Sequence, residues 1–533
     1  MRKKTIRCYV IIALCFVSQF SKAQNINLSN SLFFDGECNL AVNPKNPKHL
    51  VTAWIYFSLS NLKDAIATRS SFDGGKTWTP LQTLPHLYSS FSSPDPTIYF
   101  GKDSCVYLAY IDVSGLHSSD SGYIMVARSV NGGINWSTPV KTISYLAQPN
   151  LPVDRPWIAA DGSNGPYSGR VYVTSQNAYF APYPHHPWFT YSTDNGATWT
   201  PIKRLDDSIP SGNIEDATAF MTVAANGTLY AAYFSYYPSY SPYARLILVK
   251  SYDGGNTFVT HAAINITGAD VIPAADSLLK SGISISANPA DTSNLVITGT
   301  TNRYGEPDII TYNTHDAGKT WNGPVRVNDD QMGAYDTCHD LSWGSFAQDG
   351  TFGLAWRDRR NTGRGDSAAY QIYAAESKNG GDSYSPNFLI SDTVSPAVLI
   401  ERGDDFLGCA VSDSGLFVSW SDLRTGKENT FFNATPVSKI PNAIFSVSDN
   451  SNIKVEAYPN PFHNETNIVI DSKIQLQNCI LQIFSIEGNK VDELNIPGNG
   501  TYKLNLSQLS RGTYIWSLEE KGAAVAHGKW VIQ

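Results

Sequence analysis

The sequence predicts an all-β chain, made of repeated four-stranded units and then a small β-sandwich. Two observations carry this. One octet recurs six times between residues 71 and 384: small hydroxyl residue, any, Asp or Asn, any, Gly, two of any kind, aromatic. Between copies, the same order of alternating apolar segments and turn residues returns, and alternation is the period of strands rather than helices.

The copies are SFDGGKTW (Ser71 to Trp78), SVNGGINW (Ser129 to Trp136), STDNGATW (Ser192 to Trp199), SYDGGNTF (Ser251 to Phe258), THDAGKTW (Thr314 to Trp321) and SKNGGDSY (Ser377 to Tyr384). Their starts lie 58, 63, 59, 63 and 63 residues apart. The chemistry is that of a hairpin turn. Asp73, Asn131, Asp194, Asp253, Asp316 and Asn379 are placed to accept backbone N–H bonds within their own turns, and the following Gly supplies a positive φ. The aromatic folds back and buries its ring between strands.

The octet resembles the Asp box of the sialidase-like (BNR) β-propellers, over about 400 residues. The resemblance implies that each box joins the third and fourth strands of a blade, away from the active site. These Asp residues are therefore read as structural rather than catalytic. Innermost strands are predicted at CNLAVNP (Cys38), PTIYF (Pro96), WIAAD (Trp157), TAFMTVA (Thr218), GISISANP (Gly282), LSWGSFA (Leu341) and LGCAVS (Leu407), one more than the boxes. The seventh unit lacks a fourth strand, while NINLSN (Asn25 to Asn30) resembles the fourth strands VRVNDD and FLISD. Seven blades follow, closed by the N-terminal strand so that no ring edge stays open, with six blades plus an extra hairpin as the alternative.

Residues 1–23 read as a secretory signal, basic and then apolar, cleaved after Ala23. The propeller spans 24–434 and a linker 435–454. Residues 455–533 carry YPNPF (Tyr458 to Phe462), LQIFSIEGNKV, LNLSQLSRGTYIWSL and GKWVIQ. These resemble the C-terminal sorting domain of the type IX secretion system, expected as a small Ig-like β-sandwich. The resemblance implies passage through the outer membrane of a Bacteroidetes-type bacterium. The sorting domain is then removed, and the protein is released or attached to the surface. No other stretch is long and apolar enough to cross a bilayer. Five cysteines remain after the signal (Cys38, Cys105, Cys338, Cys409, Cys479), too scattered for a disulfide framework. Cys38 and Cys409 fall on neighbouring inner strands, as a pair or, more simply, as buried apolar side chains. A formal charge of −8 argues against nucleic acid as a partner.

Propellers keep their sites on the face where inner strands begin. Acidic residues stand near the start of most of them: Glu37, Asp95, Asp154, Asp216, Asp340 and Asp405. Crowded carboxylates raise one another's pKa or hold a cation such as calcium, the one cofactor this pattern suggests. Alternatively each braces its own turn or pairs with Arg. Two aromatic, proline-stiffened loops offer rings for stacking on sugar or peptide: NAYFAPYPHHPW with Tyr179, Tyr183 and Trp188, and FSYYPSYSPY with Tyr236, Tyr237 and Tyr240. Arg359, in Trp356 to Arg360, is placed to clamp a carboxylate, although the same string in blade 7 (Trp420 to Arg424) favours Asp–Arg bracing.

Sialidases need three arginines, a Tyr–Glu nucleophile pair and an acid/base Asp. Upstream of the first box the mature chain has a single arginine, Arg69, immediately before the box, so the first of the triad is not matched. Glu215 with Asp216, and Tyr335 with Asp336 and Asp340, are the clusters to test for a hydrolytic site. The expectation is a secreted or surface-attached propeller that binds extracellular glycan or glycoprotein through an aromatic and acidic rim. The alternative is a glycoside hydrolase using rim carboxylates.

Overall fold

The computed structural model describes residues 25–532 except 61, 115–120, 145–152, 179–180, 182–183, 208–217, 236–244, 266–281, 333–336, 364–368, 397–405, 437–452, 461, 473–474, 486–489 and 521–522. Up to Pro436 the chain forms seven antiparallel four-stranded sheets. Their first strands are Asp35–Asn43, Thr97–Phe100, Val153–Ala160, Phe220–Val223, Ser284–Ala287, His339–Phe346 and Gly408–Ser412. Each packs against the next and the seventh against the first, which makes a ring of blades around a central channel. Among the described residues there is no α-helix.

Six blades are built from consecutive strands. The seventh takes its outermost strand from the N-terminus: Ile26 pairs with Phe432 and Asn27 with Phe431. Asn25 extends the clasp to blade 6, where its amide N–H reaches Asp392 Oδ2 (2.9 Å) and its Nδ2 reaches the Ile390 carbonyl (3.1 Å). Closure in this way removes the unpaired edge that an open seventh blade would present.

A polar side chain seals every junction between blades. In chain order these are Ile98 N to Asn39 Oδ1 (3.2 Å), Arg155 N to Asp95 Oδ2 (3.3 Å), Thr174 Oγ1 to the Ala219 carbonyl (2.6 Å) and Ala287 N to Thr222 Oγ1 (3.1 Å). They continue with Gly344 N to Ser284 Oγ (3.2 Å), Val411 N to Ser345 Oγ (3.1 Å) and Ser412 Oγ to the Pro47 carbonyl (3.0 Å). Inner strands have no sheet partner on their channel side, so these side chains satisfy backbone groups that would otherwise go unpaired. Apolar clusters fill the space between blades; Tyr107, Ile124 and Val126 of blade 2, for example, pack on Ile158, Val171 and Trp188 of blade 3.

The boxes fold as their residue types dictate. In the third, Ser192 Oγ donates to Asp194 Oδ1 (2.7 Å) and accepts from Gly196 N (2.8 Å), while Thr198 donates its amide (2.8 Å) and hydroxyl (2.6 Å) to the same carboxylate. These donors, led by the Thr198 hydroxyl, pull the Asp194 carboxyl down to about 2. All six box carboxylates or amides serve their own turns. Boxes are also pinned from the preceding blade: His49 contacts the Gly132 carbonyl (3.0 Å), Arg170 that of Gly254, and Asn294 that of Gly380 (3.0 Å).

Residues 453–532 form a three-stranded sheet (Ile453–Tyr458, Glu465–Ser472, Gly500–Asn505) and a four-stranded one (Gln477–Ser485, Lys490–Gly498, Gly512–Glu520, Ala523–Ile532). One core of Ile468, Ile470, Leu481, Ile483, Trp516 and Trp530 joins them. Cys38 and Cys409 are buried and free; burial pushes the Cys38 thiol up to about 12, so both behave as apolar side chains.

Candidate functional site

Three inner strands enter the ring through a bulge. Register slips between Gly36 and Asn39, Asp154 and Trp157, and Asp340 and Trp343. The bulge residue is left-handed: Glu37 (φ 50°), Arg155 (φ 45°) and Leu341 (φ 52°), with Asp95 (φ 58°) at the same place in blade 2. Non-glycine residues held in this region cost of order 1–3 kcal/mol and concentrate where a side chain must be aimed. The acidic series read from the sequence is thus two series one residue apart. Glu37 and Asp95 occupy the bulge, whereas Asp154 and Asp340 precede it.

The first three acids meet. Asp95 is buried, and its carboxyl hydrogen-bonds with those of Glu37 and Asp154 while Arg155 N donates to it. Burial, with the Glu37 charge next, raises Asp95 well above the ordinary carboxylate range; burial and then Asp95 do the same for half-buried Asp154. Two carboxyls share a hydrogen bond only if one keeps its proton, so the group as arranged carries at least one proton. Asp35, two residues before Glu37, is fully buried and raised to about 7 by burial.

Asp340 does something else. It is fully buried and takes Arg357 Nε (3.0 Å) and Arg359 Nη1 (2.7 Å), with a second bond from Arg357 Nη2. Those arginines, foremost against its burial, hold the carboxyl at about 2. Arg359 is itself buried in this pairing, so it braces the blade 6 rim instead of offering a guanidinium to a ligand. Arg360 with Asp358 and Asp329, and Arg424 with Asp422 and Asp392, repeat the device. Trp188 also departs from expectation. It is buried in the blade 2–3 core with its indole N–H on Asn177 Oδ1 (3.1 Å), because it opens the third strand of its blade and is not on the loop. Glu215, Asp216, Tyr335, Asp336, Tyr179, Tyr183, Tyr236, Tyr237, Tyr240 and Asp405 lie outside the described residues.

Two further groupings carry no chemistry of their own. Oxygen and nitrogen atoms of Asp308, Asp330 and His339 come within 4.8 Å of one another, as metal ligands do. Protein donors already fill that space: Arg326 Nε and Asn328 Nδ2 donate to Asp308 Oδ1 (2.8 and 2.6 Å), and Arg326 Nη2 reaches Asp330 (3.2 Å). His339 stands 3.1 Å from both Asp330 and Asp358; against its burial, these carboxylates raise it to about 9, so it is itself a cation. The donors therefore do not fit a metal ion. His86, Ser93 and Asp112 look like a catalytic triad, but Ser93 Oγ (2.9 Å) and Asp112 Oδ1 (3.1 Å) both face His86 Nδ1, and Ser93 is buried. A triad needs the two on opposite ring nitrogens.

Below the carboxyl group the channel is crossed by side chains. Asn39, Thr97, Trp157, Phe220, Ser284, Trp343 and Gly408 share one register position. Trp157 of blade 3 meets Trp343 of blade 6 across the ring (centroids 4.8 Å), and Phe220 packs on both (5.3 and 5.9 Å). The sequence carried this signal as an aromatic at one strand position in three blades, and reading for acids passed over it.

Residues 456–533 match the secretion system C-terminal sorting domain, and residues 190–201 the BNR/Asp-box repeat. The chain ends in a secretion sorting domain. The sorting domain marks the protein for export by type IX secretion to the cell surface or extracellular space. No helix among the described residues is long and apolar enough to cross a membrane. No curated protein matches the sequence. Among solved structures, similarity extends to a protein of unknown function from Dyadobacter fermentans (15% identity, 66% of this chain and 97% of that one, TM-score 0.42). Others are the Trypanosoma rangeli sialidase (11%, 94% and 88%, 0.39) and a Penicillium chrysogenum α-L-arabinanase (15%, 67% and 94%, 0.34).

Proposed function

We propose that the exported propeller binds extracellular glycan or glycoprotein at the rim where its inner strands begin. The observation that carries this reading is the Glu37–Asp95–Asp154 group, three carboxyls sharing protons beside Arg155 at the channel mouth. Partly protonated carboxyls both donate and accept, which suits sugar hydroxyls and backbone amides. Four arginines of the blade 6 and 7 rim, Arg357, Arg359, Arg360 and Arg424, are held by carboxylates, which takes them out of a clamp for a sialic acid carboxylate.

A second reading rests on the same group. A protonated Asp95 between Glu37 and Asp154 has the composition of a glycosidase acid and base. The outer two carboxyls are then the acting pair, because acid and base stand about 5–10 Å apart and hydrogen-bonded neighbours do not. One experiment separates the readings: incubate the full secreted chain with neutral, acidic and sialylated oligosaccharides, recording retention and product mass. Retention without new masses, abolished by Asp95→Asn, supports a binding protein. New masses lost in the same variant support hydrolysis. Neither retention nor cleavage of any glycan refutes both.

A further inference from the structure

On the far side of the aromatic layer the channel widens into a cavity of about 450 Å³, within the ~300–1,000 Å³ typical of small-molecule pockets. All seven inner strands line it, together with first-turn residues such as Asn43, Asn164 and Gln348, so its mouth is on the Asp-box face. This face is opposite the carboxyl rim. Trp157 and Trp343, only partly buried, line the cavity at its closed end.

We infer that this cavity is a second binding site, taking a neutral mono- or disaccharide from the Asp-box face. Three features select that ligand class. Asp413, exposed at the mouth, is the one charged residue in the lining, so neither an anionic nor a cationic ligand finds a partner inside. The walls alternate small apolar positions such as Ala41 and Ala410 with hydroxyl and amide groups. Ser345 and Ser412 already donate their hydroxyl hydrogens across blades, which fixes their oxygens as pre-ordered acceptors for sugar hydroxyls. The closed end is indole, and an aromatic floor under polar walls is the combination that suits a ring with one apolar face and hydroxyls at its edge.

The test uses the full secreted chain and saturation-transfer NMR with methyl glucopyranosides, methyl galactopyranoside, N-acetylglucosamine, cellobiose and arabinobiose, with sialyllactose as the anionic comparison. At least one neutral probe is expected to receive saturation and to alter tryptophan fluorescence. Ser286→Leu fills the channel without touching an inter-blade bond and should weaken that binding at least ~10-fold. Trp343→Phe keeps a ring in the aromatic layer and should weaken it less. No signal from any neutral probe at about 20 mM, a concentration that populates even millimolar complexes, overturns the inference. So does binding that survives Ser286→Leu undiminished, because the ligand then sits elsewhere, as does a site that takes sialyllactose equally well.

Discussion

Asp35 has no accessible surface, and neither of its oxygens has a hydrogen bond within ordinary distance. Its carboxyl is raised from 3.8 to about 7. A raised carboxyl pKa means that the folded state binds a proton the unfolded chain releases, so the contribution is full below the unfolded value near 3.8 and is lost as pH rises to about 7. At ~1.4 kcal/mol per pH unit the whole effect is at most ~4 kcal/mol. Asp35→Asn should therefore raise the melting temperature at pH 8 and leave it nearly unchanged at pH 4; an equal change at both would contradict the assignment. Asp340 predicts the opposite sense. Asp340→Ala strands two buried guanidinium groups and should cost ~3–5 kcal/mol, seen as a fall in the urea midpoint. A variant that keeps its stability but loses activity would instead return Asp340 to the catalytic list. The box carboxylates are milder: Asp194→Ala removes three local bonds on an exposed turn and should cost ~1–2 kcal/mol without altering glycan retention.

Strand order was legible because each element's signal is local. The Gly of a box fixes its turn, alternation fixes the strand before it, and Asn25–Asn30 stood out as a fourth strand without a blade. The bulges were not legible. A one-residue slip moves a side chain to the other face, and nothing in Glu37, Asp95, Asp154 and Asp340 as letters shows that two sit on the bulge and two before it. That slip is why three of them meet while Asp340 turns to Arg357 and Arg359. The closing strand makes a prediction of its own. A chain starting at Ser29 loses the Ile26–Asn27 pairing and the Asn25 clasp and exposes the edge of Asn429–Pro436. It should unfold at lower temperature and associate through that edge, and size-exclusion chromatography with a thermal melt would show both.

For the whole molecule, ring closure and export are separable tasks. The sorting sandwich has its own core, and the propeller closes without it. Ending the chain at Pro436 should leave a folded propeller that is no longer exported by type IX secretion; fractionation of producing cells with a propeller-specific antibody checks this. The sequence by itself determined the repeat, the turns, the closing strand and the sorting domain, since each is written in contiguous residues whose local chemistry leaves few alternatives. Only the tertiary structure decided which acids share protons, which arginines are occupied, and that Trp157, Phe220 and Trp343 divide the channel. The acids lie 58 and 59 positions apart and the aromatics 63 and 123, and ring geometry with strand register, neither visible locally, sets the distances between them.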